Sequence, residues 1–245
     1  MKRMIYSFAL LCLSATMLMA QADYKMWRTV SFEPKIDQIA TFEKNMAAHN
    51  KKYHNEGNKT ASVWYNLTGS NAGKYVVAIG PVTFTDYDSY EQSDEHDKDW
   101  NENVLPYVKE VSDYEFWKLD EELSHTPEGS STGKEIFRVY NLKPWEGYRF
   151  YELLKKVSEV YKKKPQENYF HVYWSEFSSN SGRDVAIALG QKTWASLDDK
   201  SKFSDDYEEV HGDGSWRLLL EELQDVVVSF EDELSMKRSD LSGGE

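Results

Sequence analysis

The sequence predicts an α+β fold in which two β-α-β-β-α-β units bring their sheets together as one intramolecular α/β barrel. Three observations carry this expectation. Residues 27–34, WRTVSFEP, return as residues 137–144, FRVYNLKP. Further blocks return in the same order at nearly constant separation: SVWYNL with VYWSEF, SNAGK with SNSGR, VVAIGPVTF with AIALGQKTW, and KLDEEL with SFEDEL. Within each copy the hydrophobic pattern alternates between strand-like and helix-like periods, the signature of a repeated supersecondary unit.

Each copy begins with an extended stretch, residues 25–33 and 134–142, followed by Pro34 or Pro144. Proline suits the first helical turn, where its missing N–H is not needed, so a helix is expected after each. The second is the clearer, with Phe150, Leu153, Leu154, Val157, Val160 and Tyr161 on one face. Two extended runs joined by SNAGK or SNSGR then read as a β-hairpin, because Asn and Gly tolerate positive φ. Thr85 with Asp88, and Ser196 with Asp199, have capping-box spacing and announce a second helix. That helix is interrupted at Pro106 in one copy and at GDG, 212–214, in the other. Apolar runs at 114–119 and 226–231 supply the last strands. The result is the ferredoxin-like arrangement, twice. In the third strands Val77 and Ile79, and Val185, Ile187 and Leu189, make a bulky face for the helices. Ala78 and Gly80, and Ala186, Ala188 and Gly190, make a small-residue face that admits a close neighbour.

The domain plan is therefore residues 1–22 as a signal peptide, 23–124 and 134–235 as the two units, and 236–245 as a flexible tail. Lys2 and Arg3 followed by an apolar run from Ile5 to Ala20 predict export, with cleavage after Ala20 or Ala22 into the periplasm or the extracellular space. The run is short for a membrane span, so no membrane association is expected once it is removed. The only cysteine, Cys12, lies in that segment, leaving no disulfide. The whole chain carries a formal charge of −13, which argues against nucleic acid and anionic lipid as partners.

The blocks WRTVSFEP, SVWYNL and VVAIGPVTF with their second copies resemble a tandem member of the dimeric α/β-barrel superfamily, the group of antibiotic-biosynthesis monooxygenases and NIPSNAP-like proteins. The resemblance implies ligand pockets between sheet and helices or within the barrel. Members range from cofactor-free oxygenases and isomerases to haem enzymes and proteins without known activity, so fold alone does not choose among them. The haem-dependent chlorite dismutase relatives have their proximal histidine on a helix of the second unit. Here His171 falls in a predicted strand, and His211 beside GDG is a poor substitute.

For binding residues, Trp64, Tyr173 and Trp174 in the second strands could line a site for a flat apolar or aromatic molecule, or could fill the core. Arg28 and Arg138, in the first strands, would either anchor an anion or pair internally, with Glu115 or Glu231 as partner. His171 is the one catalytic candidate, a possible general base that could equally be a hydrogen-bonded structural histidine. The run Asp94, Glu95, His96, Asp97, Asp99 radiates around a helix and cannot converge on one cation, so no metal site and no cofactor are expected. Asn58 and Asn66 fit the N-glycosylation pattern. The leading expectation is an exported protein that binds a small apolar or aromatic molecule. The alternatives are a cofactor-free monooxygenase or isomerase, and a non-enzymatic envelope or secreted interaction protein.

Overall fold

The structure is a computed structural model, and it describes residues 23–89, 92–130, 133–164, 167–179 and 182–244. The expected signal peptide and its cleavage sites lie outside the described residues, as do Asn180 and Ser181 of the predicted second turn. The first half runs β1 (Met26–Pro34), α1 (Ile39–Tyr53), β2 (Ala61–Asn66), β3 (Tyr75–Val82), α2 (Phe84–Asp88), α3 (Asp94–Asp99), β4 (Val108–Val111) and β5 (Glu115–His125). The second runs β6 (Lys134–Leu142), α4 (Gly147–Lys163), β7 (Phe170–Ser175), β8 (Val185–Gly190), α5 (Phe203–His211), α6 (Ser215–Val226) and β9 (Val227–Lys237).

Eight antiparallel strands close into a barrel. Within the first half the order is β5-β1-β3-β2, and within the second β9-β6-β8-β7. Two seams join them, β2 with β9 and β5 with β7, while the short β4 lies beside the end of β1. Closure leaves these half-sheets without the open edges that a lone sheet would expose. Strand alternation then gives each side chain one of two addresses. Val30, Phe32, Val63, Val77 and Ile79 face α1 and form one core with Phe42 and Met46. Val172, Val185 and Ile187 face α4 and form another with Phe150, Leu153, Leu154 and Leu219. The bulky face expected of the third strands thus meets the helices in both halves.

The opposite faces point into the barrel, and what approaches the small residues there is the barrel's own aromatic lining. A Cβ on Gly190 would stand 2.6 Å from the Tyr169 ring, and one on Gly80 would stand 2.7 Å from the Met26 carbonyl and 2.9 Å from Trp27. Trp117, Val139 and Ala186 make a small interior cluster with Phe137 and Tyr173, and Trp27 meets Tyr173 edge-on at 5.9 Å. Polar groups inside are paired. Arg183 reaches Glu115 on β5 and Glu233 on β9, and Glu233 also accepts from Asn66 and Asn71. Asn66 is 1% exposed, so its glycosylation pattern is closed to modification in the folded chain.

Several local expectations shift. Pro34 closes β1 and Pro144 follows β6, with helices starting only at Ile39 and Gly147; a strand end also tolerates a residue that cannot donate. The capping box is Thr83 with Asp86, two residues before the expected pair, and Thr193 caps the short turn Trp194–Leu197 in place of Ser196. The tail, expected to be flexible, is packed: Leu241 joins the first-half core, the Ser242 hydroxyl accepts from the Val63 N–H at 3.0 Å, and Gly243 N–H donates to the Ala61 carbonyl at 2.9 Å. Its composition is polar, but one leucine in a prepared socket suffices to hold it.

Two predictions follow from this packing. Replacing Leu241 by Ala should lower the unfolding free energy by about 2–4 kcal/mol, measured by urea denaturation; an unchanged midpoint would mean that the tail is loose. Burial pushes the Glu135 carboxyl up to about 7, against the opposing hydrogen bond from the Tyr169 hydroxyl at 2.6 Å. The folded chain therefore holds this proton more tightly than the unfolded one, and stability falls as pH rises from about 4.5 to about 7, then levels. Glu135→Gln should remove that fall, on the order of 2 kcal/mol, when wild type and variant are compared at pH 5 and pH 8.

Candidate functional site

The residues singled out from sequence are distributed over three places. Tyr173 and His171 lie inside the barrel, on the same face of β7 as Tyr169, and Trp64 points to the interior from β2, opposite in alternation to Val63. Trp174, the next residue after Tyr173, points the other way. It packs on the second-half core, donates to Asp120 at 3.1 Å and meets Tyr151. Trp64 and Trp174 are therefore not counterparts: Trp64 pairs with Val76 and Tyr173 with Ala186, which are the matching positions of the third strands. A slip of one residue exchanges the two faces of a strand.

The arginines are not counterparts either, though a shift of two residues keeps both on the helix-facing side. Arg28 pairs with Ile79 across β3, but Arg138 pairs with Ile187, which corresponds to Val77. The position that matches Arg138 is thus Val30. Arg28 lies on the outer face with its guanidinium 4.9 Å from the Tyr114 ring centre and 6.0 Å from that of Tyr87. Neither suggested partner is used as expected. Glu115 accepts from Arg183, and Glu231 accepts from the Ser70 backbone and hydroxyl. Arg138 instead forms a two-pronged pair with Asp232, at 2.6 and 2.7 Å, from directly across β9.

His171 is a weakened base with hydroxyl partners on both ring nitrogens. Burial drops its pKa to about 4, its Nε2 lies 2.7 Å from the Thr126 hydroxyl and its Nδ1 3.5 Å from that of Tyr173, and the Tyr169 ring stacks on it at 4.5 Å. Near neutral pH it is a neutral, hydrogen-bonded lining residue.

The large concavity lies elsewhere. Between the sheet of the second half and helices α4, α5 and α6 is a cavity of about 1280 Å³, above the usual range for small-molecule sites. Its floor is Ile136, Arg138, Tyr140, Ile187 and Leu189 with Phe230 of β9. Its walls include Phe150, Leu154 and Tyr161 of α4, Phe203 of α5, and Trp216 and Leu219 of α6. The helices present this apolar lining because α4 and α6 place hydrophobic residues at intervals of three and four toward the sheet. Phe230, Val228 and Leu220 are 58%, 63% and 40% exposed, so the rim is apolar and open. The Arg138 guanidinium stands over the Phe230 ring at 5.0 Å. Burial pushes the Tyr140 hydroxyl up, opposed by Arg138, and pushes Tyr161 up to about 12, so both stay protonated donors. Of Arg28, Trp64, Arg138, His171, Tyr173 and Trp174, the candidates named from the sequence, Arg138 lines this space. Tyr140, Tyr161, Trp216 and Phe230 were legible as apolar periodicity, but periodicity does not distinguish the wall of a cavity from a filled core.

Haem, the group implied for the chlorite dismutase-like relatives, does not match this lining. No histidine, cysteine or methionine is among the described lining residues, and the tyrosines there are held as phenols, which are weak iron ligands. His211 is not among them; its Nε2 lies 2.9 Å from the Lys156 carbonyl.

No protein-family model and no curated protein matches the sequence. Solved structures do match in fold. An anthrone oxidase-like protein superimposes with a TM-score of 0.56 at 12% identity, covering 91% of this chain and 95% of the other. A candidate monooxygenase from Lactobacillus acidophilus NCFM gives 0.53 at 10%, covering 90% and 96%. A chlorite dismutase from Candidatus Nitrospira defluvii in complex with imidazole gives 0.51 at 11%, covering 89% and 93%. Together with the closed eight-stranded antiparallel barrel and its flanking helices, these matches give the chain the fold of the dimeric α+β-barrel proteins.

Proposed function

We propose that the chain binds a flat, mainly apolar molecule in the second-half cavity and oxidises it with molecular oxygen without haem. The observation that carries the binding reading is the cavity itself: an open, aromatic-walled space with Arg138, held by Asp232, on its floor and Asp199 and Lys200 elsewhere in its lining. Apolar walls provide affinity, and a few fixed polar groups provide orientation. Arg138 and the Tyr140 hydroxyl are the donors that would hold an oxygen of the ligand, most strongly one carrying negative charge. The oxidation reading is taken from the anthrone oxidase-like and monooxygenase-related neighbours, whose similarity to this chain is one of fold.

An activated methylene compound of the anthrone class supplies everything such a reaction needs. Loss of a proton leaves an enolate, whose oxygen is the anion the two donors would stabilise. Conversion of CH2 to C=O consumes one O2: one oxygen atom enters the carbonyl, and the other leaves as water with the two hydrogens. The four electrons come from the substrate.

The same reading treats the two halves as copies of one ferredoxin-like unit, supported by their shared strand order. It also makes the chain an exported protein, supported by the composition of residues 1–22.

Titration with an anthrone should quench Trp216 fluorescence saturably, and an oxygen electrode should record one O2 consumed per molecule oxidised. Arg138→Met should weaken binding of the enolate form by roughly 10-fold or more while leaving a neutral aromatic hydrocarbon bound nearly as before. Equal loss for both ligands would assign Arg138 to structure. Saturable binding without oxygen uptake would reduce the function to binding, and absence of both would overturn it.

A further inference from the structure

The first half holds a cluster that neither the cavity nor the barrel interior uses. His49 and His54, at the end of α1, meet His96 of α3. All three are buried, at 1%, 5% and 9% exposure, and one nitrogen of each ring lies within 4.8 Å of those of the other two. Trp100 covers His49 at 5.2 Å, and Tyr53 covers His96 at the same separation.

The second nitrogen of each ring is oriented by an acceptor. His54 Nδ1 lies 3.1 Å from the Lys59 carbonyl, His49 Nδ1 lies 2.8 Å from Asp99 Oδ2, and His96 Nδ1 lies 2.9 Å from Asp97 Oδ1. A carbonyl and a carboxylate only accept, so each Nδ1 carries the hydrogen. In a neutral ring that leaves Nε2 as a bare lone pair. His54 Nε2 and His96 Nε2 then face one another at 3.2 Å, and His49 Nε2 is buried without a hydrogen-bond partner. Three lone pairs turned toward one buried place, with the Gln92 amide no nearer than 3.5 Å to that of His96, form an electrostatic conflict that a cation would resolve. Imidazoles with their outer N–H groups held by carboxylates or a backbone carbonyl are the arrangement found around protein-bound transition metals.

We propose that His49, His54 and His96 form a binding site for one divalent transition-metal ion, with zinc the best match. Three neutral imidazoles suit zinc, which takes N–Zn bonds of about 2.0–2.1 Å and tetrahedral geometry. Nitrogens on such an ion are separated by roughly 3.3 Å. The His54–His96 pair already has that spacing, and the wider separations close by ring rotation. The ion would tie the end of α1 to α3. The sequence reading weighed only the acidic run and His96. His49 and His54 lie some forty residues away and converge with it only in the fold.

The test uses the full chain, stripped with a chelator and returned to metal-free buffer at neutral pH. Calorimetric titration with zinc chloride should give one ion per chain with submicromolar affinity, and cobalt should produce the visible absorption of a tetrahedral site. At zinc a hundredfold above its dissociation constant the melting temperature should rise by about 5–10 °C. His96→Gln should abolish saturable binding. Asp99→Asn, which leaves the three rings in place and changes the outer partner of His49 together with the acceptor of Asn103, should weaken it about 10- to 100-fold, and His211→Gln should bind as wild type does. If His96→Gln fails to fold, wild-type stoichiometry and the Asp99→Asn shift decide. Absence of saturable binding, or binding indifferent to both variants, would overturn the proposal and leave the three rings as a proton-sharing hydrogen-bonded set.

Discussion

Closure of the sheet through β2–β9 and β5–β7 is the constraint on which the other features depend. Each half-sheet alone would leave the N–H and C=O groups of its outer strands open to solvent or to aggregation. Joining them satisfies those groups and converts each inner face into the wall of one enclosed space. Because a strand has a two-residue period, closure also commits every strand residue either to the helices or to the interior.

The interior shows what that commitment demands. Glycine and alanine on β3 and β8 leave room for Trp27 and Tyr169, so a space lined by small residues is filled by large ones from adjacent strands. Charged groups that closure traps are partnered across the seams. Arg183 joins Glu115 at one seam to Glu233 near the other, and Asn66 of β2 meets Glu233 and Ser235 of β9. Buried charge is tolerated only when such partners are present, and here the partnering also links the two halves.

Under a common strand order the halves use the space between sheet and helices differently. In the first, Phe42, Met46 and the docked Leu241 fill it, and the three histidines close its far side. In the second, α4, α5 and α6 stand so that the apolar surface continues into an open cavity with Arg138, paired with Asp232, at its base. Val30 stands in the first half where Arg138 stands in the second. At that position the second half therefore carries a charge where the first carries hydrocarbon.

Most of the order of elements, the two hairpins, the interrupted second helices and the two-faced third strands were legible in the sequence, because each rests on local periodicity or turn chemistry; the short β4 beside β1, in a stretch expected to be helical, was not. Facing of the third strands was legible too, since Val, Ile and Leu alternate there with Ala and Gly. The equivalence of Trp64 with Trp174, and of Arg28 with Arg138, was suggested by a constant spacing and undone by register. Differences of one or two residues accumulate between the halves, and one residue is enough to turn a side chain from the interior to the helices. The packed tail, the Arg138–Asp232 pair, the cavity and the histidine cluster depend on contacts between residues tens to nearly two hundred positions apart. Local patterning sets which segments become strands and helices, but only closure of the barrel and docking of its helices decide which distant side chains meet.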